Sequence, residues 1–155
     1  MKNVALSLAL LLTFAGCGTS NPGTQSVPGH GAISIEVIPN PIVAIAISND
    51  TYDIPFEVVI RETGGRPVTV QNVTATVFLG GGFQLGREEW DANRIRSLGY
   101  NTTLAANSET RYKFNPRKQV PDDRVFGGIT AELRVDAVDD TGTATSATTK
   151  VTIRK

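Results

Sequence analysis

The sequence predicts an all-β protein, an antiparallel sandwich of about seven strands with a short helical turn near 88–95. Three observations carry that prediction. Apolar residues alternate with polar ones at every second position through most of the chain from Ile33 onward, the pattern of strands with one buried face. Clusters of Gly, Pro, Asn and Asp interrupt the alternation at short intervals, where turns would fall. No stretch carries a long apolar stripe at helical spacing, and strands without helices to cover them must pack on one another.

Taken in order, Ile33, Ile35 and Val37 alternate with Ser34 and Glu36, Pro39-Asn40-Pro41 breaks the strand, and Ile42 to Ile47 resumes it. A first strand interrupted by prolines resembles the split edge strand of immunoglobulin-like sandwiches, because an edge needs fewer ladder donors. Asn49 to Asp53 reads as a turn. Ile54, Phe56, Val58 and Ile60 then share one face, with Glu57 and Arg61 on the other. Gly64-Gly65 supplies a tight connection to a returning strand. In that strand Val68 and Val70 lie on one parity and Val73, Ala75, Val77 and Leu79 on the other, so an extra residue, a bulge, is expected near Gln71-Asn72.

Residues 83–107 are the least regular part, and Glu88 to Ile95 is the source of the expected helical turn, capping one end of the sandwich. Thr110, Tyr112 and Phe114 mark another half-buried strand. Ile129 to Ala137 and Thr145 to Ile153 form a last pair about the turn Asp139-Asp140-Thr141-Gly142. The expected core is Phe56, Val58, Val77, Tyr112, Phe114, Leu133 and Val135.

The first residues, MKNVALSLALLLTFAGC, place one cation, Lys2, before an apolar run from Val4 to Ala15 and put Cys17, the only cysteine, after Ala15-Gly16. This resembles a bacterial lipoprotein leader, although Phe14 stands where that pattern usually has Leu. The run is too short for a hydrocarbon core that needs about twenty residues. The resemblance implies a signal peptide over 1–16, lipid on Cys17, a Gly-, Ser- and Pro-rich tether over 17–32, and a domain over 33–155. Gly18, where an acidic residue resembles an inner-membrane retention signal, favours the outer membrane if the organism has one. The expected location is the bacterial cell envelope, with the periplasmic and surface faces both open.

Fifteen Lys plus Arg balance fifteen Asp plus Glu, which argues against a nucleic-acid partner. His30, the only histidine, falls in the expected tether as an exposed linker residue, which leaves no Ser-His-Asp or Cys-His arrangement for the domain. The pairs Glu88-Glu89, Asp122-Asp123 and Asp139-Asp140 read as solvated turn residues, with a calcium site at Asp136, Asp139 and Asp140 as the alternative. Arg111, Lys113, Arg117 and Lys118 form a local basic strip. No cofactor and no catalytic residue is expected.

The Phe56 to Gly65 segment, the Leu104 to Ser108 turn and the Asp139 to Gly142 hairpin together resemble the immunoglobulin-like or fibronectin III-like domains of small bacterial lipoproteins. The resemblance implies a fold and no activity. Two functions follow as expectations. The first is a non-enzymatic interaction or adhesion module for an envelope partner, held to the membrane through Cys17. The second is a carbohydrate-binding domain stacking glycans on Trp90, Tyr100 and Phe83.

Overall fold

The computed structural model describes residues 24–25 and 27–155. The leader expected over 1–16, Cys17 and most of the tether lie outside the described residues. The strands are β1 (Thr24–Gln25), β2 (Ile33–Ile38), β3 (Ile42–Val43), β4 (Ile45–Ala46), β5 (Thr51–Asp53), β6 (Phe56–Glu62), β7 (Val68–Leu79), β8 (Phe83–Asp91), β9 (Thr103–Leu104), β10 (Glu109–Phe114), β11 (Arg117–Gln119), β12 (Thr130–Asp139) and β13 (Ala144–Arg154). One helix, α1 (Ala92–Ser97), follows β8, and a 3-10 turn spans Asp123–Gly127.

Two sheets face each other. One runs β13-β12-β7-β8, with β1 and β3 beside β13 and β9 beside β7; the other runs β10-β6-β2. A small third sheet, β11-β5-β4, closes one end. This is the expected immunoglobulin-like sandwich, seven principal strands divided three and four. The prolines divide the first strand as expected: β2 pairs antiparallel with β6, and β3 pairs parallel with β13 on the opposite sheet. The bulge is also where the parity change put it. Asp136 pairs with Asn72 and Ala137 with Val70, which leaves Gln71 as the extra residue.

Several expectations need correction. Thr51–Asp53, read as part of a turn, is β5; Glu88-Glu89, read as solvated turn residues, lie within β8; and Asp139, read likewise, is buried. The chain after Gly64-Gly65 returns in the opposite sheet, so β6 and β7 are not hairpin partners. The segment read as irregular from residue 83 is a nine-residue strand, paired with β7 from Leu79↔Phe83 to Asn72↔Asp91; the helix is displaced to Ala92–Ser97. Asp91 explains the displacement, because its carboxylate accepts from the Arg94 backbone N–H at 2.7 Å and caps the helix there. Finally, the packed chain begins before Ile33. Ala32 is buried, and a Cβ on Gly31 would lie 2.6 Å from a Val68 methyl.

Two buried carboxylates fasten that end. Glu62 is 3% exposed. Its carboxylate accepts from the backbone N–H groups of Ala32 (3.2 Å), Gly64 (2.7 Å), Gly65 (3.0 Å) and Asn107 (2.8 Å), tying three loops to the end of β6. Burial would raise its pKa, but those four donors outweigh burial and hold it below the usual range. Asp139 accepts from the Thr141 hydroxyl (2.6 Å) and from the backbone N–H groups of Gly31 (3.1 Å), Thr141 (2.9 Å) and Thr143 (2.8 Å). The Thr141 hydroxyl lowers its pKa most, against burial, with the backbone donors adding to it. His30, expected in a free linker, has Nδ1 3.1 Å from the same carboxylate.

The core between the sheets holds six of the seven expected residues buried, and Val77 packs against it from a partly buried position. Tyr112 is wholly buried; its hydroxyl donates to the Asn101 carbonyl at 2.8 Å, and burial pushes its pKa up to about 12.

Two outcomes follow. Leu133 is wholly buried, so Leu133→Ala is expected to cost about 2–5 kcal/mol, read by chemical denaturation; an unchanged midpoint would displace it from the core. For Asp139, the native carboxyl is depressed below an unfolded value of about 3.9, so its contribution is present above that pH and is lost as pH falls below it. The melting temperature should drop on acidification below about pH 4, and Asp139→Asn should be less stable at neutral pH with a shallower acid slope. Identical slopes would remove Asp139 from the acid response.

Candidate functional site

Where the sheets part at the end opposite Glu62 and Asp139, the core is not filled. A cavity of about 540 Å³ opens between β8 and the segment 116–126, within the usual range of small-molecule pockets. Its floor is built from side chains of β7, β12 and β13, with Ala75, Val77, Ala131, Leu133 and Ile153 among them. Phe56 lines it from the facing sheet, and Ile42 of β3 lines it from beside Ile153.

The opening has a cause in the register. Ala131 pairs with Val77, and Val77 with Gly86; Leu133 pairs with Ala75, and Ala75 with Glu88. Ala75, Ala131 and Gly86 therefore place three small residues on neighbouring strands where a sandwich core usually has large ones, and they leave part of the cavity's space open. A second register shift, between Val77 and Phe78, leaves Leu85 unpaired beside the same opening. Pro116 and Pro121 bracket the strip that forms the outer wall, and Val125 and Phe126 of the 3-10 turn complete it. Phe126 is anchored against Tyr52, ring centroids 4.9 Å apart.

The mouth is charged. Glu88 has the parity of buried Trp90, and its carboxylate crosses the opening to Lys118 at 2.6 Å while also accepting from Arg94 at 2.9 Å. The bond from Lys118 lowers the Glu88 pKa most, burial opposes it, and Arg94 adds to the lowering, so Glu88 is ionised at neutral pH. Arg87 pairs with Glu89 at 3.0 Å and Arg124 with Asp122 at 2.6 Å. Of the charged residues that line the opening, Arg87 and Lys118 balance Glu88 and Asp122, and Arg94, paired with Glu88, adds one positive charge beside them.

The expected glycan platform does not assemble. Trp90 is 3% exposed, in a cluster with Phe114 (centroids 4.3 Å) and Phe56 (6.1 Å), and Arg94 lies over its ring at 5.3 Å. Tyr100 packs on Tyr112 at 5.3 Å, and its hydroxyl accepts from the Lys113 N–H at 3.1 Å, covering the edge of β10. Phe83 stands alone at 69% exposure. Trp90 faces the cavity rather than solvent, because its parity in β8 points between the sheets.

The other candidates are also engaged. Asp136 pairs with Arg134 at 2.7 Å and Asp140 with Arg66 at 2.9 Å, while Asp139 is engaged by its own turn, Gly31 and His30, so the three carboxylates do not converge on a cation. Among the described residues no group of three or more His, Cys, Asp or Glu is placed to hold a metal ion. In the basic strip Arg111 pairs with Glu57 and Glu109, Arg117 with Asp53, and Lys118 with Glu88. The cavity itself was missed from the sequence. Its signal was present as Ala75 and Ala131, small residues at inward positions of strands otherwise rich in Val and Leu, but their alignment depends on cross-strand register.

The fold is similar to solved structures. The crystal structure of the putative ApaA protein from Bordetella pertussis superposes with a TM-score of 0.56 at 15% identity, over 82% of this chain and 98% of that one. The X-ray structure of the structural-genomics target SoR45 does so at 0.53 and 9% identity, over 83% and 90%. At such identities the likeness extends to fold alone. No protein-family model matches the chain, and no curated protein matches it significantly.

Proposed function

We propose that this chain is a non-enzymatic binding module of a bacterial cell envelope, held to the membrane by lipid on Cys17, and that it receives an apolar group of its partner between the sheets. The observation that carries the binding reading is the cavity: 540 Å³ of apolar-walled space inside a folded core, with one charged mouth. Protein interiors close-pack, so a void of this size costs stability that filling would return. The anchor reading rests on sequence, the apolar run ending in Ala15-Gly16 before the sole cysteine. The non-enzymatic reading is supported by pairing, since the ionised groups at the mouth are engaged with one another and His30 is engaged with Asp139.

The test has two readouts. Cells fed labelled palmitate should label the wild-type chain and leave Cys17→Ser unlabelled; label on the Ser variant, or on neither, would remove the anchor. The purified Cys17→Ser chain should enhance the fluorescence of the apolar dye anilinonaphthalene sulfonate, and Val125→Phe, which fills the outer wall, should weaken dye binding by about tenfold. No enhancement, or equal enhancement by the two chains, would end the cavity reading.

A further inference from the structure

We propose that the cavity takes one unbranched fatty-acyl chain whose anionic head sits at the Lys118 and Arg87 rim; this rests on the reading of the cavity as a binding site. Shape is the first argument. The lining includes side chains from β8, β7, β12 and β13 in succession, three strand spacings or about 14 Å. Spread over that length, 540 Å³ leaves a section roughly 6–7 Å across. It is a slot.

The slot also follows a twisted floor. Adjacent strands rotate by about 20–25°, so three steps turn the floor through roughly 60–75°. A rigid flat ring system of that length cannot follow such a turn, whereas a chain of rotatable methylenes can. The walls suit methylenes, with Ile42, Ala75, Ala131, Leu133 and Ile153 along the depth.

Charge is the second argument. Polar groups concentrate at the mouth, where Arg87, Glu88, Lys118, Gln119 and Asp122 meet the opening, and Arg94, bonded to Glu88, brings one positive charge beyond those that the lining carboxylates balance. Among the described residues Lys118, half exposed, forms its ion pair with Glu88. An incoming carboxylate can share Lys118 and Arg87 without leaving a cation unpaired, and a cationic head would add to the excess. An amphiphile with one chain and one negative head matches both the depth and the rim.

Trp90 is the sole tryptophan and lines the slot, so its emission reads the interior directly. Stearic acid brominated at mid-chain, added to the purified full chain with Cys17→Ser, should quench Trp90 saturably with one-to-one stoichiometry. Brominated butyric acid at the same concentration should not. Val125→Phe should weaken stearate binding by more than about tenfold. Lys118→Ala, a surface change that spares the fold, should weaken stearate and leave the neutral brominated stearyl alcohol unchanged. The inference is overturned if stearate fails to quench, if butyric acid quenches equally, if brominated stearylamine binds as tightly as the acid, or if quenching needs brominated phosphatidylglycerol vesicles. Dye binding without stearate binding would leave the cavity as an apolar site and remove only the acyl chain. Loss of both would remove the site itself.

Discussion

Two facing β-sheets lie about 10 Å apart, and whatever fills that gap decides the rest of this structure. In the middle, Phe56, Trp90, Tyr112 and Phe114 fill it ring against ring. Toward β3 and the 116–126 segment the floor falls away to Ala75, Ala131 and Gly86, and the gap stays open as the slot. One spacing, met by large side chains in one half and small ones in the other, yields both the core and the site.

The two ends of the sandwich are accordingly unlike. At one, Glu62 and Asp139 bring buried charge into contact with backbone N–H groups from loops far apart in sequence. Such bonds to an ionised acceptor are stronger than neutral ones, and removing the acceptor would strand several buried donors. At the other, ion pairs across the mouth are solvent-exposed, with Lys118 and Arg94 each about half exposed. Pairs of that kind contribute little and exchange readily. The fold is tied by buried bonds where it joins its loops and by exposed ion pairs at the mouth of its cavity.

Much of this architecture was legible in the sequence because strand parity is local. The alternation in β6, β10, β12 and β13 named the core, the parity change at Gln71-Asn72 named the bulge, and Pro39 with Pro41 named the division between β2 and β3. What escaped was non-local. Glu62 shares the parity of the buried residues and reads as an ordinary strand end until Ala32 and Asn107 arrive from elsewhere to satisfy it. Trp90 reads as a plug for the core ahead of a glycan platform, and only the pairing of β8 with β7 turns it between the sheets. The slot depends on Ala75, Ala131 and Gly86 falling in adjacent rows of three neighbouring strands, which no single strand records. His30 looked free because the packing of Gly31 against Val68 and Asp139 could not be seen from its glycine-rich neighbours.

A sandwich with an apolar slot and a weakly cationic mouth, if held by the proposed lipid anchor, is a coherent device for holding one amphiphilic group. Its central physical claim is that the space between Ala75, Ala131 and Leu133 is open. A crystal pressurised with xenon, which enters apolar cavities and leaves packed cores alone, tests that claim most directly. Xenon density bounded by those three residues and Ile153 is the predicted result. A slot closed by the side chains of Leu85 and Val125, with no xenon between the sheets, would contradict it.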